Sequence, residues 1–229
     1  MKLIKVIAFD ADDTLWENET FFRQSENEFC DLLKEYASEE QLIKELLKVE
    51  HKNISSYGYG IKGFMLSMIE TAIAISNGKV STIIIKSIIE IGNKMLLNSV
   101  EILDGVHDVL KSLNPNFKLV VLTKGDLLDQ ERKLNKSNLQ KYFHHVEIVS
   151  EKNELEYQRI LNHLEIEAHE FLMIGNSLKS DIIPVLKVGG HAFHIPFHTT
   201  WELEKVAEEI IHPKFKELKT ISEVLNYVQ

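Results

Sequence analysis

Cysteine is the scarcest functional residue in this sequence, with a single copy at Cys30. One thiol cannot form an internal disulfide, and it has no second cysteine with which to hold a metal cluster. A disulfide-stabilised scaffold and a cysteine-rich metal domain are therefore both excluded. Sparse cysteine is typical of a reducing compartment, so we expect a cytoplasmic protein.

Long apolar runs are also lacking. The run at residues 3–9 is too short to contain both the apolar region and the cleavage site of a signal peptide. The most apolar internal stretch, residues 83–89, is interrupted by Lys86 and is far too short to span a bilayer. We therefore expect no targeting peptide and no association with a membrane.

Positive charge is scarce relative to negative charge. The chain has 26 lysines and arginines against 35 aspartates and glutamates, which gives a formal net charge of −9. Proteins that bind nucleic acid gather basic residues into patches, whereas here they alternate with acids, as at Lys44 and Glu45. The charge pattern therefore argues against a nucleic-acid partner.

The sequence does contain a clear alternation of predicted strands and helices. Residues 4–9 form an apolar, β-rich run that is typical of a strand buried on both faces of a parallel sheet. Residues 17–98 instead have apolar side chains at helical spacing and predict about four helices. From residue 99 onward, strands and helices alternate again. The predicted fold class is α/β: a doubly wound, Rossmann-like parallel-sheet core from 1–16 and 99–229, with an all-helical domain inserted at 17–98.

Polar side chains follow four of the predicted strands. In a sheet of this kind, ligands bind at the carboxyl ends of the strands, so these side chains should meet. Carboxylate and amide oxygens suit a hard divalent cation, and a lysine and a hydroxyl suit the oxygens of a phosphoryl group. The set therefore predicts a site for phosphoryl transfer. Its members are Asp10, Asp12, Thr123, Lys152, Asn176 and Asp181.

Four short motifs in this order resemble the haloacid dehalogenase superfamily of phosphohydrolases. The first is FDADDTL at 9–15, and the second is LVVLT at 119–123. The third is Lys152, and the fourth is GNSLKSD at 175–181. The resemblance extends over the whole chain, because the helical insert lies where that superfamily has its type 1 cap domain.

The resemblance implies a role for each motif residue. Asp10 would be the nucleophile, and Asp12 would protonate the leaving group and then activate water. Thr123 and Lys152 would hold the transferring phosphoryl group, and Asp181 would bind the metal or orient a metal-bound water. The implied activity is that of a Mg²⁺-dependent phosphatase, which acts on a small phosphorylated metabolite through an aspartyl-phosphate. The implied metal ligands are Asp10, Asp12 (through its backbone carbonyl), Asn176 and Asp181.

The sequence departs from the superfamily pattern at two positions. Asn176 stands where many members have an aspartate, which removes one negative charge from the implied metal site. Lys152 is followed by Asn153 rather than by the proline often found there, and Lys124 is a rival for the lysine role.

Three other functions fit parts of the pattern. A phosphoglucomutase-like phosphotransferase uses the same aspartyl-phosphate, and a binding protein that has lost catalysis would be compatible with Asn176. A signalling receiver module also combines acids, a threonine and a lysine, but it has no large insert after its first strand. The metal-free dehalogenase branch generally lacks an acid at the position of Asp12, so the pattern favours a phosphatase.

Overall fold

A six-stranded parallel sheet forms the centre of the fold. The computed structural model describes residues 3–207 and 209–228. Within them the strand order is β3-β2-β1-β4-β5-β6, and every neighbouring pair is parallel. This confirms the predicted α/β class. The strands are β1 (Val6–Phe9), β2 (Lys118–Lys124), β3 (His145–Val149), β4 (Phe171–Gly175), β5 (His191–His194) and β6 (Phe215–Glu217).

Strand β1 lies in the middle of the sheet, between β2 and β4. Phe9 is in register with Val121 on one side and with Ile174 on the other. The chain runs outward from β1 toward β3 in one direction and toward β6 in the other, so the strand order reverses between β1 and β4. Such a reversal opens a crevice at the carboxyl ends of the two strands, which is where ligands bind in open α/β sheets.

The described residues also form helices between the strands and after the last of them. Their bounds are α1 (Glu19–Leu33), α2 (Glu39–Tyr57), α3 (Ile61–Ile75), α4 (Thr82–Leu97), α5 (Val106–Leu113), α6 (Leu127–Ser137), α7 (Glu154–His163), α8 (Ile183–Lys187) and α9 (Leu225–Val228). A π-helical turn at Leu178–Ile182 precedes α8.

Two apolar cores cover the two faces of the sheet. Because successive side chains of a strand point to opposite faces, Ile7 and Phe9 of β1 enter one core and Val6 and Ala8 enter the other. The first core contains side chains of α5 and α9, and the second contains side chains of α7 and α8. Helices therefore pack on both faces, which explains why β1 and β4 are apolar throughout rather than alternating.

The chain divides into two compact units. The first contains the described residues up to Glu19, Val100–Lys124, and those from Arg132 onward. The second contains Thr20–Ser99 and Gly125–Glu131. Its own apolar core is built from α1 to α4, with Phe29, Leu46 and Met68 among its fully buried members. That 17–98 forms an independent domain stays a prediction.

Side-chain caps fix the starts of several helices. Ser38 and Gln41 form a reciprocal capping box at α2, and the side chain of Ser81 accepts from the backbone N–H of Ile84 at α4. Asn153 caps α7, because its side chain accepts from the N–H of Glu156 at 3.0 Å. Among the described residues, none of the helices is both long and apolar enough to cross a bilayer.

Candidate active site

The candidate site lies in the first unit, at the carboxyl ends of the central strands. Asp10 follows β1 directly, and its N–H donates to the carbonyl of Ile174 at 2.9 Å, which extends the β1–β4 pairing by one residue. Asn176 follows β4, and Lys152 lies in the loop between β3 and α7. Thr123 belongs to β2, two residues beyond the Val121 that pairs with Phe9. These four residues therefore lie at or just beyond the carboxyl ends of four neighbouring strands.

A buried cluster of one lysine and two aspartates forms the centre of this site. The ammonium of Lys152 donates to Asp10 Oδ1 at 2.5 Å and to Asp181 Oδ1 at 2.7 Å. The residues are only 5%, 7% and 1% exposed, respectively. The structure thus brings together three side chains that are 142 and 29 residues apart in the chain.

The loop after β4 determines where Asp181 points. Asp181 lies in the π-helical turn Leu178–Ile182, and its Oδ2 accepts from the N–H of Ser177 at 3.0 Å. Ser177 caps this turn, because its hydroxyl accepts from the N–H of Ser180 at 3.0 Å. A β-carbon added at Gly175 would overlap the Asp181 carboxylate. Glycine at the end of β4 is therefore what lets this carboxylate approach the crevice.

Burial and charge act in opposite directions on the ionisation of this cluster. Burial is the largest effect on Asp10, and it raises the pKa of that carboxyl to about 7 even though Lys152 acts to lower it. Burial alone would lower the pKa of Lys152, but the charges of Asp10 and Asp181 outweigh it and raise that pKa above its ordinary value. Lys152 is therefore protonated, and its positive charge favours the ionised form of Asp10.

Oxygen atoms beside this cluster suit a hard cation. The hydroxyl of Thr14 lies 3.5 Å from Asp10 Oδ2 and 3.5 Å from Asn176 Oδ1, so those two oxygens face a common point. Both oxygens of Asp181 already accept hydrogen bonds, but a carboxylate can accept more than one per oxygen. An all-oxygen set of this kind fits Mg²⁺, which takes one or two carboxylates and fills its other positions with water and phosphate oxygens.

Asp12 has different surroundings from Asp10. Its Oδ1 accepts from the indole N–H of Trp16 at 2.7 Å and from the ammonium of Lys133 at 2.6 Å, and its side chain is 24% exposed. Lys133 also donates to Asn18 Oδ1 at 3.1 Å. Asp10 and Asp12 are thus held by different cations, Lys152 for Asp10 and Lys133 for Asp12.

Asp13 stabilises the turn before α1. It has a positive φ of 61°, and its carboxylate accepts from the N–H groups of Asn18 at 2.8 Å and Glu19 at 3.0 Å, at the start of α1. Burial raises the pKa of Asp13 to about 8, although these hydrogen bonds act to lower it. Its carboxyl group stabilises the turn between the first motif and α1.

Thr123 and Lys124, the last two residues of β2, have different hydrogen-bond partners. Thr123 is 2% exposed, and its hydroxyl lies 3.3 Å from the carbonyl of Lys124. The ammonium of Lys124 donates to Glu204 Oε1 at 2.6 Å and to the hydroxyl of Ser180 at 2.9 Å. Of the two lysines considered from the sequence, Lys152 is therefore the one that contacts Asp10.

Three further residues contribute to the site without belonging to any motif. Glu204 accepts from the hydroxyls of Ser177 and Ser180 as well as from Lys124, and it joins the 3₁₀ helix Glu202–Glu204 to the fourth motif. His194 lies with Nε2 3.0 Å from the carbonyl of Asn176. The third is Lys133. Lys133 and Glu204 are single residues with no spacing signal, so the sequence offered no means of finding these two.

Comparison with known proteins identifies relatives of this fold. The family model for haloacid dehalogenase-like hydrolases matches residues 4–189. A haloacid dehalogenase-like family hydrolase from Xanthomonas campestris has a crystal structure with a TM-score of 0.87 and 38% identity, over 96% of this chain and 88% of that one. Two more distant structures, with 97% of each chain covered, share the fold: a HAD-hydrolase from Bacillus subtilis bound to magnesium (16% identity, TM-score 0.66) and a 2-haloacid dehalogenase from Pseudomonas syringae (19%, 0.63). No curated protein matches the chain.

Proposed function

We propose, on the premise that this chain belongs to the haloacid dehalogenase-like hydrolase family, that it is a Mg²⁺-dependent phosphatase. It would hydrolyse a small phosphorylated metabolite in the cytoplasm through an aspartyl-phosphate on Asp10. The observation that carries this proposal is the contact of buried Lys152 with both Asp10 and Asp181, at 2.5 and 2.7 Å. A buried cation beside a carboxylate nucleophile is the arrangement that transfer of a phosphoryl group requires.

In the first step, a carboxylate oxygen of Asp10 forms a bond to phosphorus, and the bond from phosphorus to the ester oxygen breaks. That oxygen leaves as an alcohol, because it takes a proton from Asp12. Lys152 and Thr123 hold the phosphoryl oxygens while charge moves between the attacking and leaving atoms. The product of this step is the aspartyl-phosphate.

In the second step, water attacks the phosphorus atom and gives a proton to Asp12. The bond between Asp10 and phosphorus breaks, orthophosphate leaves, and both aspartates return to their starting states. Asp10, the carbonyl of Asp12, Asn176 and Asp181 would hold the metal. When bound, Mg²⁺ would supply positive charge against the oxygens of the phosphate and of Asp10.

The two proposed roles place different demands on the two aspartates. A nucleophile must be ionised, whereas a general acid must hold and release a proton, so the two groups need different environments. Asp10 is buried against Lys152, while Asp12 is partly exposed and held by Lys133 and Trp16. The presence of Asp12 also favours a phosphatase over a dehalogenase, which has no leaving alcohol to protonate.

A direct test uses a chromogenic aryl phosphate with and without Mg²⁺. We expect turnover that needs the metal and that falls by about 10³-fold or more in Asp10→Asn, which keeps the shape of the side chain but removes its nucleophilic charge. In Asp12→Asn, the aspartyl-phosphate should accumulate, because its hydrolysis lacks a base. Mass spectrometry after an acid quench should then find a phosphoryl group on the peptide that contains Asp10.

Turnover retained by Asp10→Asn, or a phosphoryl group on a different peptide, would refute the mechanism. A panel of phosphorylated metabolites then separates the remaining functions by their products. Orthophosphate release supports the phosphatase, and an isomerised sugar phosphate would indicate a phosphotransferase. Halide release from 2-haloacids without Mg²⁺ would indicate a dehalogenase, and no product from any compound would indicate a binding protein.

A further inference from the structure

A second group of metal-binding side chains lies on the edge of the sheet, outside the four motifs. His145 and Glu147 are two residues apart on β3, so their side chains point to the same face of the strand. His163 is the last residue of α7, which packs on that face. The three side chains converge although two of them come from a strand and one comes from a helix.

The ligand atoms of this group are already close to one another. His145 Nε2 lies 2.9 Å from Glu147 Oε1, and His163 Nε2 lies 3.9 Å from the same oxygen. All three atoms lie within 4.8 Å of one another, and the two imidazole rings are 5.2 Å apart between centroids. Ligands about 2.0–2.2 Å from one zinc ion in a tetrahedron are roughly 3.3–3.6 Å apart. The observed spacing therefore needs only small side-chain movements to bind an ion.

The charge of Glu147 also suits a cation. A glutamate carboxylate offers an anionic oxygen ligand, which zinc binds together with imidazole nitrogens. Arg159 donates to Glu147 Oε2 at 3.3 Å, and Glu147 Oε1 is the oxygen next to the two imidazole rings. The guanidinium of Arg159 is itself held at 2.6 Å by Glu156, which offsets part of its repulsion of an ion.

We propose that His145, Glu147 and His163 bind one divalent transition-metal ion of the zinc type, with water completing the coordination. Two imidazole nitrogens and one carboxylate oxygen favour this class of ion over Mg²⁺, which prefers oxygen alone. His163 is half-exposed, so the site is open to the solvent for entry of the ion. This inference does not depend on the proposed phosphatase activity.

The location of the site indicates what the ion would do. It would join the first residue of β3 to the last residue of α7, and the loop between these two elements carries Lys152. Strand β3 is at the edge of the sheet and has one neighbouring strand. An ion bound to the folded chain should therefore stabilise this edge and raise the melting temperature.

The test is titration of the full chain with ZnCl₂ by isothermal calorimetry, in excess Mg²⁺ so that oxygen-only sites are occupied. His163→Gln removes one ligand, and His144→Gln is the matched control, because His144 is the exposed residue next to His145. We expect His163→Gln to bind one Zn²⁺ fewer than the wild type, or to bind it about tenfold or more weakly, with the control unchanged.

Thermal unfolding gives a second, independent readout. Zn²⁺ should raise the melting temperature of the wild type and of His144→Gln above the value in EDTA, and this rise should be lost or reduced in His163→Gln. Both variants change surface side chains, so both should fold. Equal Zn²⁺ affinity and equal thermal shifts in His163→Gln and the wild type, or no Zn²⁺ binding by the wild type, would overturn the proposal.

Discussion

Replacing Lys152 by methionine would leave Asp10 and Asp181 side by side without the ammonium between them. The lysine side chain is 2% exposed, and the carboxylates it contacts are 10% and 1% exposed. Removing one partner from a buried ion pair typically costs about 3–5 kcal/mol, because the remaining charge is left uncompensated. A typical domain has a free energy of unfolding of about 5–15 kcal/mol, so this loss is large but leaves the protein folded.

The same substitution should remove catalysis by two routes. Loss of a charged donor to the transferring phosphoryl group typically lowers turnover by about 10²–10³-fold. Because Lys152 also acts to lower the pKa of Asp10, its absence should raise that pKa further above the value of about 7. Any remaining activity should therefore rise with pH over a higher range than in the wild type.

Lys124→Met is the matched control, since Lys124 is the other lysine at the carboxyl ends of the central strands. Its partner Glu204 keeps hydrogen bonds from two serine hydroxyls after the change, so we expect a smaller cost of about 1–3 kcal/mol. Urea unfolding followed by circular dichroism measures the stabilities, and hydrolysis of an aryl phosphate in saturating Mg²⁺ measures turnover. Activity of Lys152→Met within about tenfold of the wild type, or a greater loss in Lys124→Met, would refute the assigned role.

Two further substitutions test the positions of the aspartates. Lys133→Met should remove the ammonium that holds the Asp12 side chain in place. Cleavage of alkyl phosphates, whose leaving groups need a proton, should then slow by about 10²-fold. The first step with a dinitrophenyl phosphate, whose leaving group needs no proton, should stay nearly unchanged. Rapid-quench measurement of that step separates the two, and equal losses would contradict a positioning role. Gly175→Ala should push the Asp181 carboxylate away, lowering the unfolding free energy by about 1–3 kcal/mol together with turnover. An unchanged melting curve and unchanged turnover would show that the close approach is not needed.

Local sequence patterns predicted most of the strands, because burial on both faces makes a strand apolar throughout. The apolar run before Asp10 became β1, and the runs ending near Thr123 and Asn176 became β2 and β4 within one or two residues at each end. Strand β6 was not predicted. It is three residues long and half-exposed, with the sequence Phe-Lys-Glu, so it has neither the length nor the apolar character of a buried strand.

The contacts that orient the site could not be predicted in the same way. Lys133 is 121 residues from Asp12 in the chain, and Glu204 is 80 residues from Lys124. A lysine on a helix or a glutamate in a loop is usually a solvated surface residue, and only the folded chain shows which of them is buried against a partner. The motif residues were found because strand ends must converge, whereas their supporting side chains follow no such rule.

The asparagine in the fourth motif gains a physical explanation from this geometry. Burial and the charges of Asp181 and Asp12 already raise the pKa of Asp10, and Asn176 Oδ1 lies 3.5 Å from the same Thr14 hydroxyl that Asp10 contacts. An aspartate at position 176 would add a third carboxylate there and favour protonation of the nucleophile still further. The amide keeps an oxygen for a cation while it omits that repulsion. On the proposed mechanism, the cost of the amide would be a weaker Coulombic attraction for Mg²⁺, and its benefit would be easier ionisation of Asp10.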